Sequence, residues 1–214
     1  MVLSSLIERL KQEKKAFIEK CDLCGICIEK CQVLSYLKLL KKNSKELQED
    51  LLHVLRGNEA SQEACNKTFA CSQCASCLHS CPKGLNPYLM QAVFKEAIVI
   101  RGQKPKKSIE LTRLENIQYD LQDILCDLQL KPFEVRWLRK IPINPKQTDL
   151  LLFMGCSVRM MPDKILATID ILDKLELDYT VLAGGQVCCG FKYLIDGDVE
   201  NAESSSRELV LALE

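Results

Sequence analysis

The chain has 214 residues, 47% of them hydrophobic and 27% charged, which suits a packed core beneath a polar surface and leaves room for one large domain or two small ones. Its 29 basic and 29 acidic side chains cancel, so no global field draws it toward nucleic acid or anionic lipid. No apolar run approaches membrane-spanning length, and charge arrives by Glu8, too early for a secretory signal. The thirteen cysteines therefore point to metal in a reducing compartment rather than to disulfides.

In chain order, Leu3, Leu6, Ile7, Leu10, Phe17 and Ile18 recur at helical intervals and lead into Cys21-Asp-Leu-Cys24-Gly-Ile-Cys27-Ile-Glu-Lys-Cys31. Asn43-Ser-Lys-Glu46 resembles a capping box, and Leu47, Leu51, Val54 and Leu55 form an apolar stripe that Gly57 would end. Cys65 reads as a small buried hydrophobe. The second cysteine run is Cys71-Ser-Gln-Cys74-Ala-Ser-Cys77-Leu-His-Ser-Cys81-Pro82. Asn86 as cap, Pro87 at the first turn and Gly102 as stop then predict a helix over 87–101.

Both runs read C-x2-C-x2-C-x3-C, the spacing that holds a [4Fe–4S] cluster on thiolates. Structural zinc is the competing metal, but it takes four ligands per ion, commonly as separated pairs rather than triplets. An odd cysteine count disfavours a disulfide framework, and no C-x-x-C precedes a histidine as haem attachment would require. In two-cluster ferredoxins the fourth cysteine of such a run ligates the other cluster. The expectation is two [4Fe–4S] clusters, one on Cys21, Cys24, Cys27 and Cys81, the other on Cys71, Cys74, Cys77 and Cys31. His53 reads as a surface residue. His79, between Cys77 and Cys81, reads as solvent-facing, with a hydrogen bond toward cluster sulfur as the alternative.

Residues 108–130 carry Ile109, Leu114, Ile117, Leu121, Ile124, Leu125 and Leu128 at helical spacing, with Cys126 on the same apolar face. Pro132, Pro142 and Pro145 then mark a connector. Asp149–Met154 is a short apolar run suited to a buried parallel strand, residues 163–176 a helix, Tyr179–Leu182 a second strand, and Asp198 onward another helix. Cys156 follows the first strand and Cys188-Cys189-Gly190 the second, so a parallel crossover would gather the three thiols at one sheet edge. No phosphate-binding glycine loop or nucleophile elbow accompanies them.

The long span between the two motifs resembles the helical two-cluster module of the iron–sulfur subunits of heterodisulfide reductase and glycolate oxidase. Cys81-Pro82 matches that module, whereas Gln32 stands after Cys31 where proline is usual. Cys156 and Cys188-Cys189-Gly190 resemble the first half of the cysteine-rich "CCG" domain of the same proteins, whose closing C-x-x-C would lie beyond Glu214. The resemblance implies a mixed fold: an α-helical two-cluster ferredoxin-like domain over 1–105, a helical connector over 106–148, and a partial α/β (parallel βαβ) CCG domain over 149–214. It also implies an electron-transfer component of a multi-component oxidoreductase rather than a complete catalyst. Its partners would be a flavoprotein or catalytic subunit, with a membrane subunit left open, and its place cytoplasmic or peripheral at the inner membrane face. A third metal site at Cys156, Cys188 and Cys189 would need ligands from missing or partner residues. A zinc-stabilised interaction module and a non-functional fragment are the readings set against it.

Overall fold

The computed structural model of the chain describes residues 5–37, 42–103, 124, 128–131, 147–155, 161–183 and 188–213. In chain order the elements are α1 (Leu6–Lys20), α2 (Ile26–Glu29), α3 (Gln32–Leu37), α4 (Ser44–Leu55), α5 (Gln62–Phe69), α6 (Pro87–Ile100), β1 (Leu150–Met154), α7 (Pro162–Lys174), β2 (Tyr179–Ala183), α8 (Phe191–Asp196) and α9 (Val199–Leu213). Two units emerge, Met1–Ile109 with Gly190–Glu203, and Glu110–Cys189 with Ser204–Glu214. The fold is mixed, mostly helical with a small parallel sheet.

Short polar side chains start the helices of the first unit. Ser5 Oγ accepts from Glu8 N at 3.0 Å, Asn43 Oδ1 from Glu46 N at 2.9 Å, Ser61 Oγ from Ala64 N at 3.1 Å and Asn86 Oδ1 from Leu89 N at 3.0 Å. Gly57 and Gly102 take φ of 104° and 72° just past α4 and α6, as the sequence leads one to expect of stops. Helix α5 lies within the inter-motif span expected to be helical but lacks an apolar stripe to mark its bounds. Its buried residues are Ala64, Cys65, Lys67 and Thr68, which form no apolar stripe.

Helix α6 is the axle of this unit. It is buried on nearly every side and packs against α1, α4, α5 and α8. Phe94 meets Phe17 of α1 edge-on, centroids 6.0 Å apart and planes at 89°, a geometry worth about 0.5–1.5 kcal/mol beyond area burial. Leu10, Leu47, Leu51, Met90 and Val93 fill the space around them.

The sequence-based boundary assigned 190–203 to a C-terminal domain beginning at 149, but this segment groups with the first unit. Leu194 and Val199 pack into the same core as Phe94. Gly197, at φ +85°, lies so close to α6 that a Cβ there would stand 2.8 Å from the Lys95 carbonyl carbon. Periodicity shows that a segment is helical; it does not show which core receives its apolar face.

In the second unit β1 and β2 run parallel, paired from Leu150↔Tyr179 to Met154↔Ala183. Met154, Ile165, Ile169, Val181 and Leu130 make the core beneath them. The unbroken apolar run of β1 suggests burial on both faces, yet Leu150 and Leu151 are exposed, since no third strand or covering helix meets them among the described residues. Ile124 and Leu128, expected on an apolar helix face, are also exposed. The rest of the 108–130 pattern, Cys126 and the prolines at 132, 142 and 145 lie outside the described residues. No described helix is long and apolar enough to cross a membrane.

Candidate metal centre

The two cysteine loops share one backbone path. In the first, Leu23 and Gly25 have φ of 59° and 76°; in the second, Gln73 and Ala75 have 60° and 61°. The left-handed residues thus flank Cys24 and Cys74 alike. A left-handed conformation costs a non-glycine residue about 1–2 kcal/mol, and such strain persists where the surroundings impose it, often at functional sites. Alternating backbone hands turn successive N–H groups inward, the concavity that binds anions and iron–sulfur clusters. One loop needs glycine and the other tolerates alanine for a steric reason. A Cβ on Gly25 would stand 2.7 Å from Ser44 Oγ, at the start of α4, whereas Ala75 is exposed.

Cys21, Cys24, Cys27 and Cys81 line a single opening, with Phe17, Leu85 and Gln48 as its apolar and amide walls. Cys81 belongs to the second run, so the chain carries a cysteine of one motif to the three leading cysteines of the other. Gln48, buried on α4, holds two of the four: Cys27 Sγ donates to its Oε1 at 3.2 Å, and its Nε2 faces Cys21 Sγ at 3.9 Å. Burial pushes the Cys27 thiol up to about 12 despite the nearby Lys67 charge, and burial likewise raises Cys21.

Around the second run, Cys77 lies within the fields of Cys71 and of Cys31 from the first run. Burial raises Cys77 above its ordinary value, and Lys67 opposes that rise. Cys74 is exposed and lies below the ordinary thiol value because Ser76 hydrogen-bonds its sulfur, with Oγ at 3.2 Å. Between the two groups a second cavity is lined by Cys27 and Cys77 together with Gln48, Lys67 and Gln91. Gln32, standing where proline is usual, begins α3 directly after Cys31.

Some candidates stand apart from these openings. Cys65 is buried among Val54, Ala97 and Ile98, the packing role its sequence context suggests. His53 and His79 are exposed. Cys188 is half-buried and Cys189 exposed, while Cys156 lies outside the described residues. The glycine after them is sterically required: Gly190 has φ +75°, and a Cβ would come within 2.4 Å of the Ala202 carbonyl oxygen. Among the described residues no three His, Cys, Asp or Glu side chains are drawn together as a single-ion site.

Sequence reasoning missed Gln48, Lys67, Gln91 and Lys95. Gln48 falls in register with Leu51, Leu52 and Leu55, and Gln91 with Phe94 and Ile98, so a polar residue inside an apolar stripe was the available signal. Lys67 gave none. The donor set suits a thiolate-bound, negatively charged group larger than one ion: four cysteines spread around one opening, inward N–H loops, and buried ammonium groups.

Residues 12–86 match the family model of the 4Fe–4S dicluster domain, a span that includes all eight motif cysteines. Neither a curated protein nor a solved structure matches the chain. The cysteine spacing, the paired loop geometry and this match together make the chain an iron–sulfur protein of the [4Fe–4S] electron-transfer kind.

Proposed function

We propose that the chain is the electron-transfer subunit of a multi-component oxidoreductase and carries two crossed [4Fe–4S] clusters. Cys21, Cys24, Cys27 and Cys81 hold one; Cys71, Cys74, Cys77 and Cys31 hold the other. The observation that carries this reading is the company Cys81 keeps, in one opening with the three leading cysteines of the other run. The field of Cys31 at Cys77 supports the reciprocal half. When bound, such a group supplies one-electron chemistry at a potential set by the protein around it.

The chain's own residues then divide the work. The loop pairs Leu23/Gly25 and Gln73/Ala75 aim backbone N–H groups inward. Gln48 orients Cys21 and Cys27 from α4, and Phe17, Leu85 and Phe94 keep water from the inner side. Cys74 and the exposed residues around it leave the second site open on one side, where an electron donor or acceptor could approach. A flavoprotein or catalytic subunit is the partner this reading requires.

The unit containing β1, α7 and β2 is read as part of a CCG domain on the strength of Cys156 and Cys188-Cys189-Gly190. The parallel strand pair supports it. Three thiols alone do not close a cluster, so a third centre there depends on ligands from elsewhere.

Serine variants test the crossed reading. Cys81→Ser should change the resonance signature of the cluster held by Cys21, Cys24 and Cys27, and Cys31→Ser that of the other. If each substitution altered only its own run's cluster, the crossing would be refuted.

A further inference from the structure

Lys67 and Lys95 are the two lysines buried to within a few per cent, at 5% and 3% exposure, among the described residues. Lys67 Nζ donates to Gln91 Oε1 at 2.8 Å, and Gln91 Nε2 in turn donates to the Pro87 carbonyl at 3.4 Å. No carboxylate pairs with Lys67 among the described residues. Lys95 lies near enough to feel the Lys67 charge, and it also faces Cys71 and Asp196. Two neighbouring ammonium groups out of water repel one another, and each loses its hydration. Asp196 gives Lys95 a countercharge, but the neutral Gln91 amide offsets little of what Lys67 loses. Lys67 is stable only beside negative charge.

The cavity that Lys67 lines supplies the position for that charge. Cys27 and Cys77 both line it, one cysteine from each proposed ligand set. Helix α5 carries Lys67 in, and Gln91 on α6 fixes its head group, so the ammonium is held rather than snorkelling to the surface.

We propose that Lys67 is the electrostatic bridge between the two cluster sites, a fixed positive charge that stabilises both in their reduced, more negative state. The proposal rests on the two-cluster reading above. A cation near a thiolate-bound cluster favours the form with the extra electron, so Lys67 raises the reduction potential of both sites. Lys67 is a positioning and tuning residue; it ligates nothing.

The test uses the full chain, reconstituted anaerobically, with iron and acid-labile sulfide counted before a mediated redox titration followed by electron paramagnetic resonance. Lys67→Met keeps the length of the side chain and removes its charge; Lys67→Arg keeps the charge. Lys11→Met, at an exposed position on α1 ten residues before Cys21, serves as control. Lys67→Met is expected to move both midpoints to more negative potential, with Lys67→Arg closer to wild type and Lys11→Met unchanged. Unchanged midpoints in fully loaded Lys67→Met, or a shift at one site only, would overturn the bridge. If Lys67→Met fails to load while Lys67→Arg loads, the charge requirement stands; if both fail to load, packing is responsible and the proposal falls. A wild-type chain that holds no iron would instead refute the two-cluster reading, a result distinct from any of these.

Discussion

The Cys27 thiol donates to Gln48 Oε1 at 3.2 Å, while Nε2 of the same amide faces Cys21 Sγ at 3.9 Å. As ligands both sulfurs are deprotonated and only accept, so the amide then acts through its N–H. Hydrogen bonds to ligand sulfur raise cluster potentials. Gln48→Met keeps the volume and loses the donor. It should lower the midpoint of the site built on Cys21, Cys24, Cys27 and Cys81 and leave the other site alone. A redox titration that resolves the two sites checks this; no change at the first site would deny Gln48 the role.

The thiols of the metal-free chain should differ sharply in reactivity. Cys74 is exposed and held below the ordinary thiol value by Ser76, whereas burial pushes Cys27 up to about 12. The thiolate is the nucleophile, so at pH 8 only about one Cys27 in ten thousand is reactive. Alkylation followed by mass spectrometry should modify Cys74 first and Cys27 last. The Cys27 rate should keep climbing with pH toward 12, after that of Cys74 has levelled off. Ser76→Ala should slow Cys74 at neutral pH. Equal rates at the two cysteines would contradict the burial assigned to Cys27.

Gly25 and Ala75 occupy the same place in their loops but should respond oppositely to substitution. Gly25→Ala forces a Cβ to within 2.7 Å of Ser44 Oγ at a left-handed φ, so it should destabilise the chain by about 2–3 kcal/mol. Ala75→Gly relieves a left-handed alanine without opening a cavity, and should stabilise by up to about 1 kcal/mol. Thermal or denaturant unfolding of the two variants measures both. A harmless Gly25→Ala would show that the loop is less constrained by α4.

Hydrogen exchange should be slowest in α6, which is buried on nearly every side, and faster in β1, where Leu150 and Leu151 are exposed. The segment 190–203 packs into the core around Phe94 through Leu194 and Val199, so its amides should be better protected than those of β1. The reverse order would place that segment outside the first unit.

The eight motif cysteines were legible in the sequence because ligand spacing is local: two residues between thiols are enough to specify the turn. Helices α1, α4 and α6 were legible for the same reason, α1 through its apolar spacing and α4 and α6 through Asn43, Asn86 and the glycines beyond them. Helix α5 lies in the inter-motif span expected to be helical, but its bounds were not legible, because Lys67 and Thr68 are buried where a stripe would require apolar residues. Neither the docking of α8 against α6 nor the cavity shared by Cys27, Cys77 and Lys67 has a local signature. Both are set by which distant faces meet.

Iron and acid-labile sulfide per chain, determined after anaerobic reconstitution, test the central claim most directly. Two [4Fe–4S] clusters on eight cysteines require about eight iron and about eight sulfide per chain, with visible absorption that bleaches on reduction. Four irons or fewer, or a colourless protein holding zinc in their place, would contradict it.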